Sequence, residues 1–181
     1  HWRTHKMSQT KVDNLFLGQG AVVQVVTNVV SGGNTAVSST TYTDTGATIT
    51  ITPKLATSKI VVFAKCFATL SKAADDVMGG VKLVRNVGGG SFTDLVIPMA
   101  DTNGPYEQQL ELTAGGNING CTFNMNYSFL DDPDTTSACI YKLQARVYSS
   151  GSSHQWYFGN SGGGGGAQTQ EMIAMEILSD S

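Results

Sequence analysis

Along most of this chain apolar and polar residues take turns one by one. Cys121, Phe123, Met125, Tyr127 and Phe129 alternate with Thr122, Asn124, Asn126 and Ser128. Beyond a polar corner, Tyr141, Leu143, Ala145 and Val147 alternate with Lys142, Gln144, Arg146 and Tyr148. Successive side chains on a strand point to opposite faces, so each run predicts a strand with one buried and one wet face. The corner between them, Asp131-Asp-Pro-Asp134, has turn chemistry: Pro fixes φ and Asp accepts local backbone hydrogen bonds. The same reading predicts strands near 21–30, 42–52, 59–70, 80–86, 92–98, 106–113, 120–130, 138–149, 154–158 and 170–178. No run carries the i, i+3, i+4, i+7 spacing of an amphipathic helix.

Two strands depart from plain alternation. In Lys59–Leu70, Val62, Ala64, Cys66, Ala68 and Leu70 make one small apolar face, while Phe63 and Phe67 lie on the other beside Lys65. A strand apolar on both faces is either covered by a loop or second sheet, or meets another subunit. Phe63, Lys65 and Phe67 are therefore candidate oligomer-interface residues. In the last strand Ile173, Met175 and Ile177 form one apolar face, and Glu171 and Glu176 are at opposite parity to one another; loss of this strand would expose core.

Composition fits a single all-β domain. The chain has 181 residues, 40% of them hydrophobic and 14% charged, with 21 Gly and 4 Pro. That suits one β-sandwich over 21–181 preceded by an extension over 1–20. A net charge of −3 without a basic stripe argues against nucleic acid as a partner. No apolar stretch approaches the roughly 20 residues that span a bilayer, and no apolar segment of signal-peptide type follows the basic His1–Lys6. Met7 reads as a natural start, with residues 1–6 an upstream remnant. Val12-Asp-Asn-Leu-Phe-Leu-Gly18 is a short apolar segment, and Val12, Leu15, Phe16 and Leu17 are candidate docking residues. Cys66, Cys121 and Cys139 read as buried reduced thiols, consistent with assembly in a reducing cytoplasm.

Candidate chemistry is sparse. No nucleophile elbow, zinc-binding helix motif or phosphate-binding loop is present, and no cofactor or metal is expected. Asp131, Asp132 and Asp134 could offer oxygens to Ca²⁺, although the turn explains them better. Asn126-Tyr-Ser128 matches a glycosylation sequon, read as accidental without a secretory signal. A glycosidase would need two carboxylates flanking a groove, for which Glu107 and Glu111 or the Asp131 corner are the candidates. The aromatic run His154-Gln-Trp-Tyr-Phe158 lies between Ser149–Ser153 and the glycines 162–166. Either Trp156 and Phe158 pack inward as one more strand, or the run presents a recognition surface in which His154, Trp156, Tyr157 and Asn160 are the candidate receptor contacts.

Five segments, in this order, resemble a domain common in tail-fibre and other virion structural proteins of marine tailed phages, including cyanophages. They are Gly20-Ala-Val-Val-Gln-Val-Val26; Ser38-Ser-Thr-Thr-Tyr-Thr-Asp-Thr-Gly46 with Thr48-Ile-Thr-Ile-Thr-Pro-Lys54; Thr57-Ser-Lys-Ile-Val-Val62; Phe129–Ala138 with Tyr141-Lys142; and Met172-Ile-Ala-Met-Glu-Ile177. The resemblance covers about residues 20–178. It implies an antiparallel jelly-roll-like β-sandwich, a homotrimer, other virion proteins as partners and a structural or adhesive role without cofactor or catalytic residues. A host-surface glycan or protein is the receptor it implies. A capsid-decorating protein docked by its N-terminal arm is the alternative, and a non-viral carbohydrate-binding domain the third.

Overall fold

The computed structural model describes residues 18–30, 35–71, 77–95, 108–112, 121–148, 154–159 and 169–179. These contain eleven strands and no helix: β1 (Val22–Val30), β2 (Thr35–Val37), β3 (Thr43–Ile51), β4 (Lys59–Ser71), β5 (Val77–Val87), β6 (Thr93–Asp94), β7 (Gln108–Leu112), β8 (Cys121–Asp131), β9 (Cys139–Val147), β10 (Gln155–Phe158) and β11 (Gln170–Ile177). They form two antiparallel sheets. The front sheet contains β1, β11, β4, β10, β2 and β8, and the back sheet β3, β9, β5, β6 and β7.

Strand pairing fixes the topology. β1 pairs with β11, β3 with β9, β4 with β8, and β5 with both β6 and β7. Outermost strands thus pair with outermost and innermost with innermost. With β4 joined to β11 and β5 to β9, the pairs split alternately between the two sheets. This nested arrangement is the jelly roll, the all-β sandwich expected from the alternating pattern.

Two strands of the roll are interrupted. β10 and β11 follow one another along the same edge of β4, Phe158 opposite Ala68 and Gln170 opposite Cys66. β2 continues the line of β1 in the same way, Thr35 lying opposite Phe158 and Val30 opposite Gln170. The front sheet is therefore four strands wide along its length: β1 or β2, β11 or β10, β4, then β8.

The core lies between the sheets. β4 contributes Ile60, Val62, Ala64, Cys66, Ala68 and Leu70, and β9 contributes Tyr141, Leu143, Ala145 and Val147, all buried. Met125 and Tyr127 are buried on β8, while Thr122, Asn124, Asn126 and Ser128 are exposed, so the alternation read from the sequence holds. Contacts at both ends tie the sheets together. At one end the indole of Trp156 on β10, fully buried, donates Nε1–H to the carbonyl of Arg146 at 3.1 Å and lies edge-on to Phe123 at 6.2 Å. At the other end Asp131 on β8 accepts from Arg85 Nη1 at 2.6 Å and from the Tyr141 hydroxyl at 2.7 Å, both on back-sheet strands.

Several details differ from the sequence reading. β2 is an added three-residue strand, and β5 starts at Val77, earlier than the spacing suggests. On β11 the residues turned into the sandwich are Gln170, Met172, Ala174 and Glu176, all buried, whereas Ile173, Met175 and Ile177 face outward and are half-buried. A carboxylate can occupy this inner face because its oxygens are satisfied. Glu176 Oε1 accepts the backbone N–H groups of Lys54 and Leu55 at 2.7 and 3.2 Å, and Oε2 accepts from Gln24 Nε2 at 2.6 Å. Cys121 is exposed at the start of β8, the edge strand of the sheet, rather than buried.

Trp156 also dictates a glycine far away in sequence. A Cβ on Gly79 of β5 would lie 2.2 Å from Trp156 Nε1 and 2.7 Å from Cε2. Gly79→Ala is expected to cost about 1–3 kcal/mol through overpacking, and Trp156→Ala about 3–5 kcal/mol through the cavity left. Both read as a lower urea midpoint at unchanged slope. Because the two changes share one contact, the double variant should lose less than the sum of the singles.

Candidate interaction surface

The two outer faces of the sandwich differ in chemistry. On the front sheet, strand register aligns Val25, Met175, Val61 and Leu130 in one row across β1, β11, β4 and β8. The next row is Thr27, Ile173, Phe63 and Ser128, and the one after it Val29, Glu171, Lys65 and Asn126. Val25 is 53% exposed, Leu130 54% and Phe63 40%, so the aliphatic row is open to solvent at both of its ends. The candidate interface residues thus lie together. Phe63 sits within the apolar rows, Lys65 opposes Glu171, and Lys65 Nζ lies 5.4 Å from the Phe67 ring centre. Contiguous exposed apolar area of this kind marks interaction surfaces on soluble proteins.

The aromatic run is placed otherwise. Trp156 and Phe158 point into the sandwich and His154 is buried; Tyr157 is half-buried on the outer face, in a row with Ala36, Thr69 and Thr122. The inward alternative read from the sequence is the one adopted, since Trp156 must fill the space over Gly79. Asn160 and the docking candidates Val12, Leu15, Phe16 and Leu17 lie outside the described residues, as do the loop positions 149–153 and 160–168.

On the back sheet the outer face is built from cations laid over aromatic rings. Lys82 Nζ lies 3.9 Å from the Tyr42 ring centre, and the Arg146 guanidinium lies 4.8 Å from that of Tyr42 and 4.4 Å from that of Tyr148. Lys142 Nζ lies 4.6 Å from the Phe92 ring centre. Lys82 also pairs with Asp94 and Lys142 with Asp44, each at 2.6 Å. Burial raises the pKa of the Asp44 carboxyl, but hydrogen bonds from Lys142 and Gln144 outweigh it and hold the group below its usual value. Asp44, Gly46, Ala47, Thr48 and Lys142 line a shallow depression where β3 bulges against β9. The sequence carried part of this surface: Lys142, Gln144, Arg146 and Tyr148 are the wet positions of β9. Tyr42, Phe92 and Asp94 come from other strands and loops, and only the fold joins them.

Among the described residues no group of three or more His, Cys, Asp and Glu side chains could hold a metal ion. Asp131 is occupied by Arg85 and Tyr141, and Asp132 lies 3.6 Å from Lys59. No helix among these residues is long and apolar enough to cross a membrane.

No family model matches the sequence, and no curated protein matches it. Among solved structures, one of infectious bursal disease virus, Gx strain, aligns with a TM-score of 0.36 and 6% identity, over 89% of this chain and 39% of that one. A VP2 subviral particle of infectious bursal disease virus aligns with a TM-score of 0.35 and 10% identity, over 88% of this chain and 43% of that one. The chain thus spans about two fifths of the length of these structures.

The three thiols should behave differently. Burial pushes the Cys66 thiol up to about 12, and it also raises that of Cys139, with the Asp131 charge adding to it. Cys121 is exposed. One thiol per chain is expected to react rapidly with a maleimide in the native protein, and all three after denaturation, as counted by mass spectrometry. The thiol of Cys66 ionises with a pKa near 9.0 in the unfolded chain but near 12 when folded. Its contribution to stability is therefore complete below about pH 9 and is lost as pH rises from there towards 12. A Cys66→Ala variant should show a weaker decline of melting temperature across that window.

Proposed function

We propose that this chain is a structural protein of a virus particle, that it assembles with copies of itself through the front sheet, and that the assembly is a trimer of fibre type. One observation carries the reading: an aliphatic row crosses the full width of the front sheet and is open at both ends, at Val25 and Leu130. Leaving such area in water is unfavourable by about 25 cal/mol per Å², and closed rotational symmetry lets copies of the chain cover its open ends. The ordered resemblance of five segments to virion proteins of marine tailed phages supports the same role. A jelly roll hosts many activities, so the fold alone would not.

In this reading the back sheet turns outward. Its rings and amides, Tyr42, Tyr148, Phe92 and Gln144, offer a platform for a glycan or protein of the host surface. That replaces the aromatic run 154–158 as the recognition surface, since Trp156 and Phe158 are committed to the core.

The mass of the protein in solution at micromolar concentration should be that of a trimer, and Leu130→Asp, at an exposed end of the row, should shift it to monomer without lowering the melting temperature. Antibody labelling of purified particles then separates fibre from capsid decoration by its position on tail or head. A wild-type protein that stays monomeric, or particles that carry no label, would overturn the proposal.

A further inference from the structure

Both edges of the front sheet lack the features that usually prevent strands from pairing with one another. β1 reads Val22-Val-Gln-Val-Val-Thr-Asn-Val-Val30, and β8 runs from Cys121 to Leu130 before its first charge, Asp131; neither contains Pro. Natural edges are protected by charge, Pro, bulges or brevity. Here β8 pairs with β4 from Leu70 to Ile60 without a register shift, and among the described residues no strand lies on its other side. Among the described residues β1 pairs with β11 alone; its one irregularity falls between Val22 and Gln24, leaving Gln24–Val30 regular.

We infer that β1 of one copy adds antiparallel to β8 of the next, so that the front sheet continues from molecule to molecule with Val25 opposite Leu130 of its neighbour. This rests on the self-assembly proposed above and names its contact. Three observations converge on it. First, β1, β11, β4 and β8 alternate in direction, so a β1 placed beyond β8 is antiparallel to it, as every other pair in the sheet is. Second, the aliphatic row Val25–Met175–Val61–Leu130 ends at each edge in an exposed aliphatic residue, and pairing Leu130 with Val25 of the next copy makes the row continuous.

Third, the same register satisfies the inner face. It sets Val26 against Phe129 and Val30 against Met125, while on the outer face Thr27 meets Ser128. A slip by one residue would bring Val25 against Phe129 or Asp131 and reverse both faces, so the hydrophobic pattern selects this register. Each copy has one edge of each kind on opposite sides of its sheet. The contact is therefore heterologous, closing into a ring when the rotation per copy allows it.

The test uses Val25→Cys and Leu130→Cys, separately and together, in a Cys121→Ser background. Both positions are more than half exposed, so folding should be preserved, as an unchanged melting temperature would show. After treatment with a short bismaleimide, the double variant should lose its monomer band on a denaturing gel to a ladder of linked copies. Each single variant should keep its monomer band, because residue 25 meets residue 130 and not another 25. Single variants that cross-link as fully as the double would overturn the inference in favour of face-to-face packing. So would a double variant that stays unlinked while mass measurement on the same sample shows an oligomer; that result leaves self-assembly standing and removes only the edge contact. A sample that is monomeric by mass overturns both.

Discussion

Three strands of the front sheet, β11, β10 and β8, are held directly by β4. On one edge it is bonded first to β11 and then to β10, and on the other to β8 along almost its whole length. Its inner residues from Ile60 to Leu70 are all but fully buried. A strand in that position needs a small, unbroken apolar face inside, and Val62, Ala64, Cys66 and Ala68 keep it thin enough for the large side chains of β9 and β10 to close over it. Burial of aliphatic side chains contributes about 1.5–3 kcal/mol each. A polar substitution at any of these positions would therefore weaken the attachment of three strands at once.

The strand pattern of β4, β8, β9 and β11 was legible because period-two alternation is a local property of sequence. What local pattern could not show is which elements meet. For Trp156 the pattern favours an inward place without excluding a surface loop; what fixes it is Gly79, a residue remote in sequence with no side chain to announce the contact. Ile173, Met175 and Ile177 were legible as an apolar face, but the presence of two outer apolar rows reversed its direction. Burial of Glu176 depends on two backbone amides from the β3–β4 connection, which no reading of β11 alone could supply. β2 was missed because three residues carry no period.

The candidate surfaces were legible in the same uneven way. Phe63, Lys65 and Phe67 could be read as a second face of one strand. The partners that turn them into a surface lie on three other strands, and register alone aligns them. On the back sheet, charge is balanced locally: Lys82 with Asp94 and Lys142 with Asp44, each cation also over a ring. The more exposed pair, Lys142 with Asp44, contributes little to stability, about 0–1 kcal/mol, whereas Lys82 is buried beside Asp94. Both pairs place the lysine ammonium over Tyr42 and Phe92, so that this face is polar where the front face carries an apolar row.

The interruption between β10 and β11 has a practical consequence. The chain leaves the edge of β4 after Phe158 and rejoins it at Gln170, and both points are fixed by pairing to neighbouring positions of that strand. A segment whose ends are already held can be lengthened at small entropic cost, about 0.6 kcal/mol for each doubling. The same fold could thus carry inserts of very different length and sequence at this position while the register of the sheet stayed unchanged. For anyone grafting a foreign peptide onto this scaffold, the gap between the two half-strands is the natural place to put it.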